Sequence, residues 1–485
     1  MNHRILFILL PLLVVASISV PALAIEFSDC EISGTDGTRH LNAQCGILSR
    51  PENPHEPDGK HIDLAVAKIP ALANEAKEDA FTIINGGPGG SSIELYVDLA
   101  QAFEGIRRDR DIYILDQRGT GESNPLNCAE LNLETGDSDD LDVIVAAAGK
   151  CLAQLNGDPR FYTTSVAVQD LEALRRTLGI PQLNVYGVSY GTRVGLHYLR
   201  KFPSKVRTLT IDGVLPPELA LGPDIAGNAQ NTLDSIFERC AQDGRCVAAY
   251  PRLEAEFDEL LSRFEASQFS TNIADPKSGQ LNTQEVGYGH LAAVVRLFSY
   301  APESASLLPL LIHQASADHD YRMLATQAKR IISYLSQALS IGMHNSVVCT
   351  EDAPFYQVNA RTQGKDTYLG EVQLDFLESI CGVWPQGEID EDFKSPVISD
   401  VPTLILSGEF DPVTPPRYGD AVAENLSQHR HLVAPGQGHG VVGRGCVPAI
   451  LSAFIDTGNL TELETTCIDQ MIWQPFFVNS FGPAR

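Results

Sequence analysis

Past residue 24 the chain contains no apolar run long enough to cross a bilayer, which takes about 20 consecutive apolar residues. It is also short of basic residues: 35 Lys and Arg stand against 62 Asp and Glu, a formal net charge of −27. Such a balance does nothing to offset repulsion from phosphates, so a nucleic-acid partner is not expected, and a charged ligand would be cationic. Neither C-x-x-C nor H-E-x-x-H occurs, so the common zinc-ligand spacings are missing and no metal is expected. Hydrophobic residues make up 44% and charged residues 20%, which excludes disorder, collagen-like repeats and a coiled coil. What remains is an ordinary globular chain of 485 residues, long enough for several domains of roughly 100–200 residues.

The first 24 residues stand apart. Arg4 supplies a positive start, Ile5 to Val20 is apolar apart from Pro11 and small residues, and Ala22-Leu23-Ala24 has the A-x-A form of a cleavage site. This pattern predicts a signal peptide over residues 1–24 and an exported product, periplasmic or secreted, with no membrane attachment after cleavage. No cysteine follows the site, which argues against a lipid anchor. All ten cysteines lie beyond it: Cys30, Cys45, Cys128, Cys151, Cys240, Cys246, Cys349, Cys381, Cys446 and Cys467. An even count in an exported chain reads as disulfides, and pairing of consecutive cysteines, which closes short loops, is expected.

Strand-like runs alternate with helical ones, which predicts an α/β fold with a mostly parallel sheet. Ile62 to Ile69 alternates apolar and polar residues. Phe81 to Ile84, Ile112 to Leu115, Leu183 to Tyr186, Val206 to Ile211 and Thr403 to Leu406 are short apolar runs, and His431 to Val433 reads as a last strand. Val168, Leu171, Leu174 and Leu178 mark one face of a helix that ends at Gly179 and Pro181. Between about residues 218 and 400 the rhythm breaks into amphipathic segments with few strand runs. We therefore expect a core in two parts, 25–217 and 401–485, separated by a mainly helical insertion, 218–400. The acidic run Glu388-Ile389-Asp390-Glu391-Asp392 reads as a solvated exit linker.

Four motifs carry chemistry, and their order matters more than any one of them. Gly187-Val188-Ser189-Tyr190-Gly191 follows a strand and opens a helix near Thr192; a nucleophile on so sharp a turn needs glycine on both sides. The alternative is a plain strand-to-helix turn. Asn85-Gly86-Gly87-Pro88-Gly89-Gly90-Ser91-Ser92 follows the strand 81–84, and its glycines let backbone N–H groups approach a ligand closely. No G-K-[ST] follows it, so a phosphate loop of the Walker kind fails. Asp411, in Gly408-Glu409-Phe410-Asp411-Pro412-Val413, lies just past the strand 403–406. His439, in Gly436-Gln437-Gly438-His439-Gly440, lies just past the last strand. The run 438–443 formally matches G-x-G-x-x-G, but no βαβ unit surrounds it, so dinucleotide binding is not expected. His197 lies mid-helix and reads as structural.

The order Ser189, Asp411, His439 is that of α/β-hydrolases. In that setting Gly87 and Tyr190 would supply the two N–H donors of an oxyanion hole. The sequence resembles exported α/β-hydrolases of the tripeptidyl-aminopeptidase and prolyl-aminopeptidase group. The resemblance rests on NGGPGGSS (Asn85–Ser92), DQRGTGES (Asp116–Ser123), GVSYG (Gly187–Gly191), SGEFDPVTPP (Ser407–Pro416) and GQGHG (Gly436–Gly440). It runs over about residues 60–215 and 400–470. It implies Ser189 as nucleophile, His439 as base, Asp411 as its partner, and a cap domain over the site. Many prolyl aminopeptidases carry histidine where Asn85 stands; that departure, with the large insertion and the cysteines, points towards the tripeptidyl branch.

The expected activity is that of a serine exopeptidase acting on peptides with a free N-terminal amine, without metal or organic cofactor. An esterase or lipase on the same scaffold is the first alternative, and a non-catalytic binding protein the second. For the substrate amine, Glu351 and Asp352 stand beside the expected disulfide at Cys349 and could hold an ammonium rigidly. The alternative is that they cap a helix or face solvent, with Glu94 or Glu122 serving instead.

Overall fold

The computed structural model describes residues 25–128, 141–275, 278–357 and 364–483. The expected signal peptide lies outside the described residues. Among these, nine strands form one sheet in the order β1-β2-β3-β5-β4-β6-β7-β10-β11. They are β1 (Ser28–Ser33), β2 (His40–Pro51), β3 (His61–Ile69), β4 (Ala80–Ile84), β5 (Ile112–Leu115), β6 (Leu183–Val188), β7 (Val206–Asp212), β10 (Thr403–Gly408) and β11 (His429–Ala434). From β5 to β11 every neighbouring pair is parallel, while β1, β2 and β3 add an antiparallel flank. No described helix is long and apolar enough to cross a membrane.

The central strands are apolar along their length because helices cover both faces of the sheet. Val185, Leu209, Ile211 and Ile405 pack on one side with Leu171 of the helix Thr164–Thr177 and Val194 of the helix Tyr190–Lys201. Tyr186, Leu404 and Leu406 point the other way, against Phe103, Leu451 and Phe454. The alternation is the period of two that a pleated strand imposes. β1 and β2 escape the sequence reading because they are rich in Ser, Asn, Gln and Cys and half exposed, β1 at the sheet edge and β2 beside it.

Between β7 and β10 the chain leaves the sheet. The helices from Ile225–Gln242 to Arg322–Ala338 bury a core of their own that includes Leu233, Phe257, Leu260, Leu291 and Leu311, while Met343 and Val347 of the helix Ile341–Glu351 pack into the core against the sheet. One departure is the antiparallel hairpin of β8 (Phe269–Ala274) and β9 (Leu281–Val286), whose mostly polar, exposed strands give little hydrophobic period to detect. The C-terminal tail returns to this segment: Phe476 joins its core, and the Tyr250 hydroxyl donates to the Phe477 carbonyl at 2.9 Å.

The disulfides are Cys30–Cys45, Cys128–Cys151, Cys240–Cys246, Cys349–Cys381 and Cys446–Cys467. The fourth ties the helix Ile341–Glu351 to the helix Val372–Cys381. The acidic run is not wholly solvated, as charge density alone suggested. Asp390 takes His197 Nε2 at 2.8 Å and Lys201 Nζ at 3.0 Å, pinning the end of the insertion to the helix Tyr190–Lys201.

Candidate active site

β6 ends at Val188 and a helix begins at Tyr190, so the chain turns on the single residue Ser189. Its backbone sits at φ 56° and ψ −127°, a conformation that costs an L residue about 1–3 kcal/mol. Three hydrogen bonds hold it there. Ser189 N–H donates to the Asp212 carbonyl at 2.9 Å, and its own carbonyl accepts from Thr192 N at 2.9 Å and Thr192 Oγ1 at 2.6 Å. The flanking glycines are required by close approach: a Cβ on Gly187 would strike the Gly191 carbonyl, and one on Gly191 would strike the Ile84 carbonyl of β4.

Asp411 and His439 follow the neighbouring strands β10 and β11. His439 Nδ1 donates to Asp411 Oδ2 at 2.7 Å. The aspartate is fully engaged: Oδ1 accepts the N–H groups of Val413 (2.9 Å) and Thr414 (2.8 Å), and Oδ2 also accepts Thr414 Oγ1 at 2.7 Å. Burial alone would raise the Asp411 pKa, but the His439 charge and these hydrogen bonds outweigh it and hold the carboxyl below its ordinary value. Burial pulls the imidazole down, yet the charge and hydrogen bond of Asp411, with the charge of Asp212, keep His439 above the ordinary histidine value.

Three residues absent from the sequence reading shape this corner. Asp212, at the end of β7, accepts the N–H groups of Val441 and Val442 and the Tyr186 hydroxyl at 2.9 Å, and so anchors the histidine loop. A carboxylate ending an apolar strand run was a signal for it. Thr414, three residues past Asp411, places its hydroxyl 3.0 Å from His439 Nδ1. Tyr300 packs its ring edge-on to His439 at 5.2 Å, and its carbonyl accepts the His439 N–H at 2.8 Å. It comes from the insertion, and nothing in the sequence marks it.

The glycine-rich loop is braced from within. Asn85 Oδ1 takes the Gly86 N–H at 2.6 Å, and Asn85 Nδ2 donates to the Ser91 carbonyl at 2.8 Å. Asp116 accepts Ser91 Oγ at 2.8 Å and Ile93 N–H at 3.0 Å. The Gly86 amide is thereby used, while among the described residues the Gly87 amide has no acceptor. Tyr190 is the first residue of its helix, so its N–H has no acceptor within the helix. Its phenol is held by Thr164 Oγ1 at 2.6 Å and Gln117 Nε2 at 3.1 Å.

Ser189, His439, Gly87 and Tyr190 line one cavity of about 1060 Å³. Helices of the insertion form the wall opposite the sheet, through residues such as Ala292, Arg296, Leu339 and Phe376. Ser189 Oγ and the imidazole share this space without a hydrogen bond between them among the described residues; catalytic bonds of this kind often tighten only with substrate.

Glu351 and Asp352 are not brought to the cavity, which corrects the expectation that they hold a substrate amine. Both are wholly buried behind it. Asp352 pairs bidentately with Arg193, at 2.8 and 3.2 Å, and accepts the Leu221 N–H at 2.9 Å. Glu351 accepts Thr164 N–H at 2.6 Å and Thr164 Oγ1 at 2.9 Å, bracing the threonine that holds Tyr190. Burial pushes Glu351 up to about 7 against the pull of Arg193. Sequence proximity to a disulfide said nothing of Arg193, which lies far upstream. Asp352→Ala should lower stability by about 3–5 kcal/mol, because it strips the buried guanidinium of its main partner; urea unfolding of the two proteins measures this. On the helix Ser92–Leu99 it is Asp98 that lines the cavity, with Glu94 one turn before it.

A family model described as the alpha/beta hydrolase fold matches residues 79–443. The chain belongs to the α/β-hydrolase fold family. It is 28% identical over 496 residues to a tripeptidyl aminopeptidase of Streptomyces lividans, covering 93% of this chain and 88% of that protein. It is 23% identical over 486 residues to the serine protease Hip1 of Mycobacterium tuberculosis (strain ATCC 25618 / H37Rv), covering 91% of each. Among solved structures, the proline iminopeptidase of Mycobacterium smegmatis is similar with a TM-score of 0.44 and 15% identity, covering 86% of this chain and 99% of that one. This hydrolase therefore has relatives named as peptidases along nearly its whole length.

Proposed function

We propose that this α/β-hydrolase is a serine exopeptidase that releases short peptides or single residues from free N-termini. Ser189 Oγ attacks the scissile carbonyl as His439 takes its proton, and Asp411 fixes the imidazole and stabilises its cation. The N–H groups of Gly87 and Tyr190 receive the oxyanion, each donor contributing roughly 3–4 kcal/mol. Collapse expels the leaving amine, protonated by His439, and water then hydrolyses the acyl-enzyme by the same route.

The observation that carries the reading is the position of Ser189: it opens into a cavity walled by the insertion on the side away from the sheet. At about 1060 Å³ the cavity stands at the top of the usual range for small-ligand sites, about 300–1,000 Å³, which suits a few residues and not a folded chain. The peptidase names of the relatives favour an amide substrate over an ester. Asp98, on the cavity wall, is the carboxylate that would face an incoming ammonium.

The test compares a free-amine peptide amide with its N-acetylated twin. The free amine should be preferred about ten- to hundredfold in kcat/KM, the worth of one charge-assisted hydrogen bond. Asp98→Asn should reduce that preference. Equal rates for the two peptides on wild type would end the exopeptidase reading, and turnover of simple esters alone would replace it with an esterase.

A further inference from the structure

We infer that Arg296 selects the substrate, and that the group it takes is a substrate carboxylate lying close to the scissile bond. The inference rests on the exopeptidase reading above and names the substrate class within it.

The helix Tyr288–Phe298 turns one face to the cavity: Gly289, Ala292, Ala293 and Arg296, with Tyr300 just beyond its end. The spacing of three and four residues keeps them on one side. The first three are small and leave the space open; Tyr288, at the start of the helix, also lines the cavity but its hydroxyl donates to the Tyr368 carbonyl at 2.6 Å, and Arg296 is the charged side chain that this helix brings to the cavity. One turn further on, about 5–6 Å along the axis, Tyr300 touches the ring and the backbone of His439. The guanidinium is therefore tethered beside the catalytic base, and its charge acts on Tyr300 and on His344, which also lines the cavity.

Its partners leave it incomplete. Nη1 donates to Gln373 Oε1 at 3.1 Å, and the guanidinium also hydrogen-bonds the Tyr300 hydroxyl; both partners are neutral and can orient the group without cancelling its charge. Nε is buried with no acceptor among the described residues. Among the described residues Arg296 forms no ion pair. The buried arginines of the surrounding core behave otherwise: Arg110 pairs with Asp79, Arg118 with Asp170 and Arg193 with Asp352. The other arginine on the cavity wall, Arg444, is taken by Glu303 at 2.5 Å. In a chain with 62 acidic residues against 35 basic ones, a cavity guanidinium left without a carboxylate stands out. A partly desolvated charge without a counter-ion is costly, and a planar carboxylate is the ligand whose geometry matches the guanidinium fork.

Two sources supply such a carboxylate next to the scissile bond: an acidic side chain flanking it, or the free α-carboxylate of a single-residue leaving group. The test uses four-residue alanine peptides with free amines, analysed by chromatography and mass. The set is the neutral C-terminal amide, the same peptide as its free acid, and amides with glutamate placed in turn at each position. Wild type should prefer one carboxylate-bearing form over the neutral amide by about ten- to hundredfold in kcat/KM. Preference for the free acid assigns the α-carboxylate; preference for one glutamate position assigns the side chain. In Arg296→Gln the ratio of carboxylate to neutral substrate should collapse towards one, and Arg296→Lys should restore part of it, which separates loss of charge from loss of fold. No preference in wild type, or a preference unchanged in Arg296→Gln, would overturn the inference while neutral free-amine peptides are still cleaved. Should no peptide be cleaved, the exopeptidase reading falls instead. The same ratio measured on p-nitrophenyl butyrate and mono-p-nitrophenyl succinate then decides for or against Arg296.

Discussion

Ser189→Ala is expected to fold as the wild type does and to lose about five to six powers of ten in kcat. Only Oγ is removed, and the backbone bonds to Asp212 and Thr192 that hold the elbow remain. Unchanged unfolding midpoints beside abolished turnover distinguish loss of the nucleophile from loss of structure. His439→Ala should cost nearly as much, and the double variant little more than either, because a nucleophile and its base act as one unit. Losses that multiply would show that the two do not cooperate. Peptide hydrolysis by single-turnover kinetics, with the variants purified free of wild type, reads both results.

The second large effect is expected at Asp411. Asp411→Asn keeps the size of the side chain but removes the charge and offers an N–H where the imidazole needs an acceptor, so kcat should fall by about 10⁴. The pH profile gives an independent signature. In the proposed mechanism His439 must be neutral to take the serine proton, and the Asp411 carboxylate holds its pKa above the ordinary value near 6.5. Activity in the wild type should therefore rise with pH along a limb lying above about 6.5, since kcat/KM reports the base of the free enzyme. Removing the negative charge lowers the imidazole pKa, so in Asp411→Asn the limb should move to lower pH. A limb that stays in place would mean that Asp411 does not act electrostatically on His439.

Much of this arrangement was legible in the sequence for a local reason. Ser189, Asp411 and His439 each stand within a few residues of the end of an apolar strand run, and glycines surround two of them. Strand ends and glycine-rich turns are short-range features, and a parallel sheet gathers strand ends on one edge. The glycines of the elbow were equally readable, since the two carbonyls they avoid follow from packing a helix directly against its own strand and the next. What the sequence did not reveal depends on distant parts of the chain. Tyr300 and Arg296 reach the site only because the helix Tyr288–Phe298 lies across it, and no local pattern tells which face of an insertion helix will look inward. Glu351 and Asp352 failed for the same reason in reverse: two adjacent carboxylates looked available until Arg193 and Thr164 were seen to occupy them. β1 and β2 were missed because the outermost strand of a sheet and its half-exposed neighbour need little apolar character.

Ser189 as the nucleophile is tested most directly by covalent labelling with a serine-directed fluorophosphonate, followed by proteolysis and mass mapping of the adduct. One adduct per chain is expected, on Ser189, formed rapidly in wild type and lost or greatly slowed in His439→Ala. Failure to label wild type, or an adduct on any serine other than Ser189, would contradict that assignment.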